Sequence, residues 1–190
     1  QNKFEYAAKI GLGYCYLAAS ENNDFRFSTF RDTFERLDTG ASNRGEIMRL
    51  IELLNEREPQ GEADFETALE DYSSQIKSRS LVLVVSDFIG DEEEIEAGIE
   101  ALSENYLTLA RVLAPEERKI PASGDTIFEN IETGIELRTY LSNRLRSKYQ
   151  ENIEDHIDTV EEHAEDHRAN HVLVDTGEEF FDSFAKAWVE

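Results

Sequence analysis

The chain has 190 residues, with 42 acidic against 19 basic side chains and a formal charge of −23. That charge argues against a nucleic-acid partner, whereas 39% apolar residues, with 11 Phe and 7 Tyr, exclude a wholly disordered acidic chain and support one domain over residues 1–190. No apolar run approaches the ~20 residues of a membrane span, and a lone cysteine, Cys15, can make no internal disulfide, so a cytoplasmic compartment is the default.

Residues 2–20 are apolar or small on most sides, at Phe4, Tyr6, Ala7, Ile10, Cys15 and Leu17, which predicts a buried helix. After a turn at residues 22–24, alternation through Phe25, Phe27 and Thr29 and a return from Thr33 to Leu37 predict two short strands. Asn43 is placed to cap a helix with the stripe Ile47, Leu50, Ile51 and Leu54, ending before the Pro59-Gln60-Gly61 break. A second helix from Asp64 carries Phe65, Ala68, Leu69, Tyr72 and Ile76 and runs into Leu81–Val85, whose unbroken apolar run predicts a central parallel strand.

Asp91–Glu94 put acids on the first turn of the next helix, where the helix dipole favours them. A strand over Leu107–Leu113 follows, then two short segments around Phe128 and Leu137 that predict an inserted hairpin turning at Glu132-Thr133-Gly134. A long helix through Leu145, Tyr149, Ile153, Ile157, Val160 and Ala164, a strand His171–Val174 and a last helix with Phe180, Phe184 and Trp188 complete the chain. Strands alternating with helices predict a doubly wound α/β fold with a mostly parallel sheet.

The charge far exceeds the magnitude of about 2–8 that solubility needs. Acids spread along nearly every segment, with 13 Arg against 6 Lys, read as the hydrated surface of a halophile's protein whose fold tightens in molar salt. An acidic docking surface for a basic partner is the competing reading.

Enzyme signatures are sparse: there is no GxxxxGK[ST], HExxH or GxSxG. Gly11-Leu12-Gly13 lies inside a helix, so close packing explains it better than a dinucleotide, and Cys15 reads as a structural thiol. His163 and His167 share one helix face, as a metal pair would, with His156 and His171 on either side along the helix and just beyond it; half-buried boundary histidines are the plainer reading. Asp87 is the more informative residue. A carboxylate ending a parallel strand points into the crevice where such sheets bind ligands, although capping of the following loop would use the same residue.

Several phrases resemble the family known as domain of unknown function 58, whose core is related to the von Willebrand factor A domain. They are Lys3–Ala8, Gly61–Phe65, Arg79–Phe88, Arg111–Arg118, the hairpin from Phe128 to Leu137, and Val174-Asp175-Thr176. The resemblance spans nearly the whole chain and implies a Rossmann-like sheet with a metal-ion-dependent adhesion site at its upper edge. Asp87, beside Ser86, matches that site's last ligand. The threonine position falls on Ala63, and the Asp-x-Ser-x-Ser loop and the family's first strand would lie upstream of Gln1.

The expectation is therefore the C-terminal part of a longer chain, with membrane anchoring of the whole left open, a weak, incomplete Mg²⁺ or Mn²⁺ site, and a gap or substitute partner beside the central strand. The family further implies a non-enzymatic interaction domain, with Ser86 and Asp87 nearest the contact, working with a MoxR-type AAA+ ATPase in the assembly or maturation of complexes. The alternative is a metal-dependent hydrolase using Asp87 or the His163/His167 pair.

Overall fold

The computed structural model describes residues 2–57, 63–118, 124–129, 136–141 and 143–189. In chain order these form α1 (Lys3–Ser20), β1 (Ser28–Phe30), β2 (Phe34–Arg36), α2 (Arg44–Asn55), α3 (Phe65–Ser73), β3 (Leu81–Ser86), α4 (Glu92–Leu102), β4 (Tyr106–Leu113), α5 (Pro115–Arg118), β5 (Gly124–Glu129), β6 (Glu136–Leu141), α6 (Asn143–Asp166), β7 (Asn170–Asp175) and α7 (Phe180–Val189). The fold is mixed α/β. A parallel three-stranded sheet in the order β3-β4-β7 is accompanied by the antiparallel pairs β1-β2 and β5-β6. The expected hairpin is thus present as β5 and β6, while its Glu132–Gly134 turn and Gly61–Glu62 lie outside the described residues.

The expected cap at Asn43 is present, and Asp64 and Asp91 cap the helices expected to begin near them. The side-chain oxygen of Asn43 accepts from Glu46 N at 3.0 Å, that of Asp64 from Thr67 N at 2.9 Å, and that of Asp91 from Glu93 N at 3.0 Å, each satisfying a backbone donor the helix cannot. α3 is shorter than its stripe suggested, since Ile76 sits in the turn beyond Ser73 yet still packs on the core.

Helices cover both faces of the sheet, as the alternating side chains of its strands require. On one face Val82, Val84, Leu107 and Leu109 meet Phe65, Ile95, Ile99, Leu102, Val160 and Ala164 from α3, α4 and α6. On the other, Ala110, Val112, Val172 and Val174 meet Tyr6 and Ile10 of α1 and Ala187 of α7. α1 also buries Cys15 against Phe25, Leu37, Ile47 and Leu50, which is why it is apolar on most sides. A Cβ on Gly13 would lie 2.5 Å from the Phe184 ring, so the missing side chain lets α7 pack against α1.

One expectation is corrected. Tyr106 N donates to Ser80 O, and in a parallel ladder that parity turns the backbone groups of Val82 and Val84 toward β4 and those of Leu81, Leu83 and Val85 away from it. No described strand pairs on that side, so β3 is an edge strand and β4 the central one. An apolar run reports burial of faces and says nothing about which backbone edge is paired. Among the described residues that edge of β3 carries no partner strand.

Candidate functional site

The carboxyl end of the parallel sheet gathers the charged groups. Asp87 directly follows β3, and its Oδ2 accepts from Lys3 Nζ at 2.8 Å; the same ammonium donates to Glu117 Oε1 at 2.6 Å. Three elements meet there, because Lys3 begins α1 and Glu117 lies on α5 just beyond β4. Glu117 Oε2 accepts from Ala114 N at 2.7 Å, fixing the carboxylate that holds Lys3. Burial pulls the Lys3 pKa down, and the hydrogen bonds to Asp87 and Glu117 outweigh it, so the ammonium ends above its usual value and stays charged.

The loop after Asp87 is tightly held. Phe88 is fully buried at a φ of 51°, a left-handed conformation a bulky residue adopts only under constraint, and its ring stacks on Phe65 with centroids 5.7 Å apart. Ser86 Oγ accepts from Phe88 N at 3.2 Å, and Asp87 Oδ1 from Ile89 N at 3.3 Å. His156 Nε2 meets the Phe88 carbonyl at 2.6 Å, tying the loop to α6. Ile89 is 54% exposed, an apolar side chain two residues from the ion pair.

Beneath this cluster lies Arg111, 1% exposed within the apolar run of β4. Its Nη1 donates to His156 O at 3.2 Å, and its Nε has no partner among the described residues. Burial lowers its pKa, and the fields of Asp87 and Glu117 oppose that shift.

A divalent ion does not fit these residues. Asp87 offers one carboxylate, whose oxygens already bind an ammonium and a backbone N–H, and Ala63 packs its methyl against the apolar cluster around Phe65. Mg²⁺ needs near-octahedral oxygen ligands, and one carboxylate does not supply them. The four histidines do not gather into one ligand set. His163 and His167 approach the Glu96 carboxylate at 3.5 and 3.9 Å, His156 serves Phe88, and His171 is partly buried on β7. No metal-competent group of three His, Cys, Asp or Glu side chains occurs among the described residues. Burial and Asp38 push the Cys15 thiol up to about 12, which makes it a poor nucleophile.

Reasoning from sequence placed Asp87 and Ser86 at this edge and missed Lys3, Glu117 and Arg111 as their neighbours. The available signal was Arg111 itself, a charge inside an otherwise apolar strand.

No match was found among curated proteins. Among solved structures the chain resembles the conserved hypothetical protein BatB from Bacteroides thetaiotaomicron, with a TM-score of 0.59 and 16% identity over 96% of this chain and 83% of that one. It also resembles an aerotolerance-related membrane protein from Bacteroides fragilis carrying multiple mutations to serines, with a TM-score of 0.52 and 13% identity over 96% and 85% of the two chains. At these identities the likeness concerns the fold alone. Over residues 1–159, from α1 into α6, the chain matches the family described as protein of unknown function DUF58, and it belongs to that family.

Proposed function

We propose that the domain is a non-enzymatic protein-interaction module of von Willebrand factor A-like, Rossmann-like design, which meets its partner at the carboxyl end of the parallel sheet. The observation that carries this reading is the Lys3 ammonium shared between Asp87 and Glu117 beside the exposed Ile89. In this reading Lys3 stands where related domains hold a divalent ion. A partner carboxylate can replace Glu117 on Lys3, an exchange that keeps the ammonium paired and so limits the desolvation cost. Ile89 supplies the apolar contact that such a polar rim needs at its centre.

The partner is a MoxR-type AAA+ ATPase, and the shared task is assembly or maturation of protein complexes, in a cytoplasm salty enough to suit the acidic surface. Capture from lysate in molar KCl tests this. The wild-type domain should recover an AAA+ ATPase, and Asp87→Ala and Ile89→Asp should each lose most of it; no ATPase in the wild-type capture counts against the reading. The alternative reading is a metal-dependent hydrolase using Asp87 or the His163/His167 pair, which faces the Glu96 carboxylate. It requires a turnover that His163→Ala or Asp87→Ala abolishes.

A further inference from the structure

The opposite, amino-terminal end of the parallel sheet carries a cavity of about 330 Å³, at the low end of the about 300–1,000 Å³ common for ligand sites. It opens where β3, β4 and β7 begin and is closed by the ends of α4, α6 and α7 and by Tyr14 of α1. Its charged lining is two guanidiniums, Arg79 and Arg168, with no carboxylate. Around them stand three aromatic residues, Tyr14, Tyr106 and Trp188.

That lining runs against the rest of the molecule. In a chain of charge −23, Arg31, Arg36, Arg49 and Arg57 each hold a carboxylate, at 3.0, 2.8, 2.6 and 2.5 Å. Arg79 and Arg168 hold none among the described residues. Arg79 Cζ lies over the Tyr106 ring at 4.1 Å from its centroid, a cation–π contact that holds the guanidinium at the cavity wall without engaging a carboxylate. Tyr106 and Trp188 remain 62% and 38% exposed, so flat apolar surface adjoins the two positive groups. Tyr14 and Trp188 meet edge to face at 5.0 Å and so pack together as one wall.

We infer that this cavity is a binding site for a small organic oxyanion, a carboxylate or phosphate carried on a flat apolar body. The guanidiniums supply charge-assisted hydrogen bonds to the oxyanion, and the rings supply contact area for the body. The protein's own charge restricts the ligand to a small one, because a long polyanion such as a nucleic acid would be repelled by the surrounding acids. The site lies at the far end of the strands from Asp87 and is independent of the interaction surface proposed there.

Trp188 is the only tryptophan in the chain, so its fluorescence reports on this cavity directly. The full chain is titrated with benzoate, phenyl phosphate, inorganic phosphate and the neutral benzyl alcohol, in salt at which circular dichroism shows it folded. Benzoate or phenyl phosphate should change the emission saturably, and the tighter of the two identifies the preferred oxyanion. Benzyl alcohol and inorganic phosphate should bind at least tenfold more weakly. Arg79→Gln and Arg168→Gln should each weaken binding about tenfold, and the exposed control Arg144→Gln should leave it unchanged. The inference is overturned if neither aromatic anion saturates, if benzyl alcohol binds as well, or if the folded double variant Arg79→Gln/Arg168→Gln binds like the wild type.

Discussion

The two ends of the parallel sheet handle charge in opposite ways. At the carboxyl end Asp87 and Glu117 share the Lys3 ammonium above the buried Arg111, so these three charges are already paired within the protein. At the amino end Arg79 and Arg168 line a cavity that contains no acid. In the proposed reading a partner at the carboxyl end must exchange for something already bound, whereas a ligand at the amino end would meet guanidiniums that hold no carboxylate. Exchange of that kind favours selectivity over raw affinity.

The largest expected effect comes from Phe88→Ala. The ring is fully buried and stacked on Phe65, so its removal should cost about 3–5 kcal/mol and release the loop that carries Asp87. Denaturant unfolding measures the loss, and a cost under about 1 kcal/mol would show that the carboxyl-end loop is not held by its ring. Gly13→Val is the matching lesion near the amino end. It drives a side chain into Phe184 and should cost about 1–3 kcal/mol, with a shift in Trp188 emission as α7 moves.

A pH titration sharpens the contrast further. Burial, with Arg111 adding to it, lowers the His171 pKa from 6.5 to about 4, so the imidazole is neutral in the folded protein. As pH falls below 6.5 the unfolded chain takes up a proton that the folded one refuses, and stability drops until about pH 4. His171→Leu should flatten that part of the loss relative to wild type; parallel curves would contradict the assignment. The smallest effect is expected from Lys3→Met. Its two ion pairs are about one-third exposed, so the variant should lose about 1 kcal/mol at low salt and less in molar KCl, read from melting curves.

Much of this architecture was legible in the sequence. The cap at Asn43, the helix starts near Asp64 and Asp91, the apolar run at Leu81–Val85, the strand at Leu107–Leu113 and the helical stripes depend on neighbours within a few residues, and local chemistry determines them. What escaped was lateral and long-range. The side-chain pattern of β3 carries no trace of which backbone edge is paired, and only the family resemblance pointed to an open edge beside it. Lys3 is 84 residues from Asp87 and 114 from Glu117, so their union follows only once the strand order and the entry point of α1 are known. Asp87 could be located because the rule placing it, the carboxyl end of a parallel strand, is topological; the Arg79–Arg168 cavity follows no such rule and became visible only when three strand starts were brought together.

Site-specific photo-crosslinking tests the central claim most directly. A photoreactive residue replaces Ile89 beside Asp87, or Met48, which is 57% exposed on α2, as a surface reference. Irradiation in cells followed by mass spectrometry should yield an adduct with an AAA+ ATPase from position 89 and little from position 48. No adduct from position 89, or the same adduct in equal amount from both, would contradict recognition at the carboxyl end of the sheet.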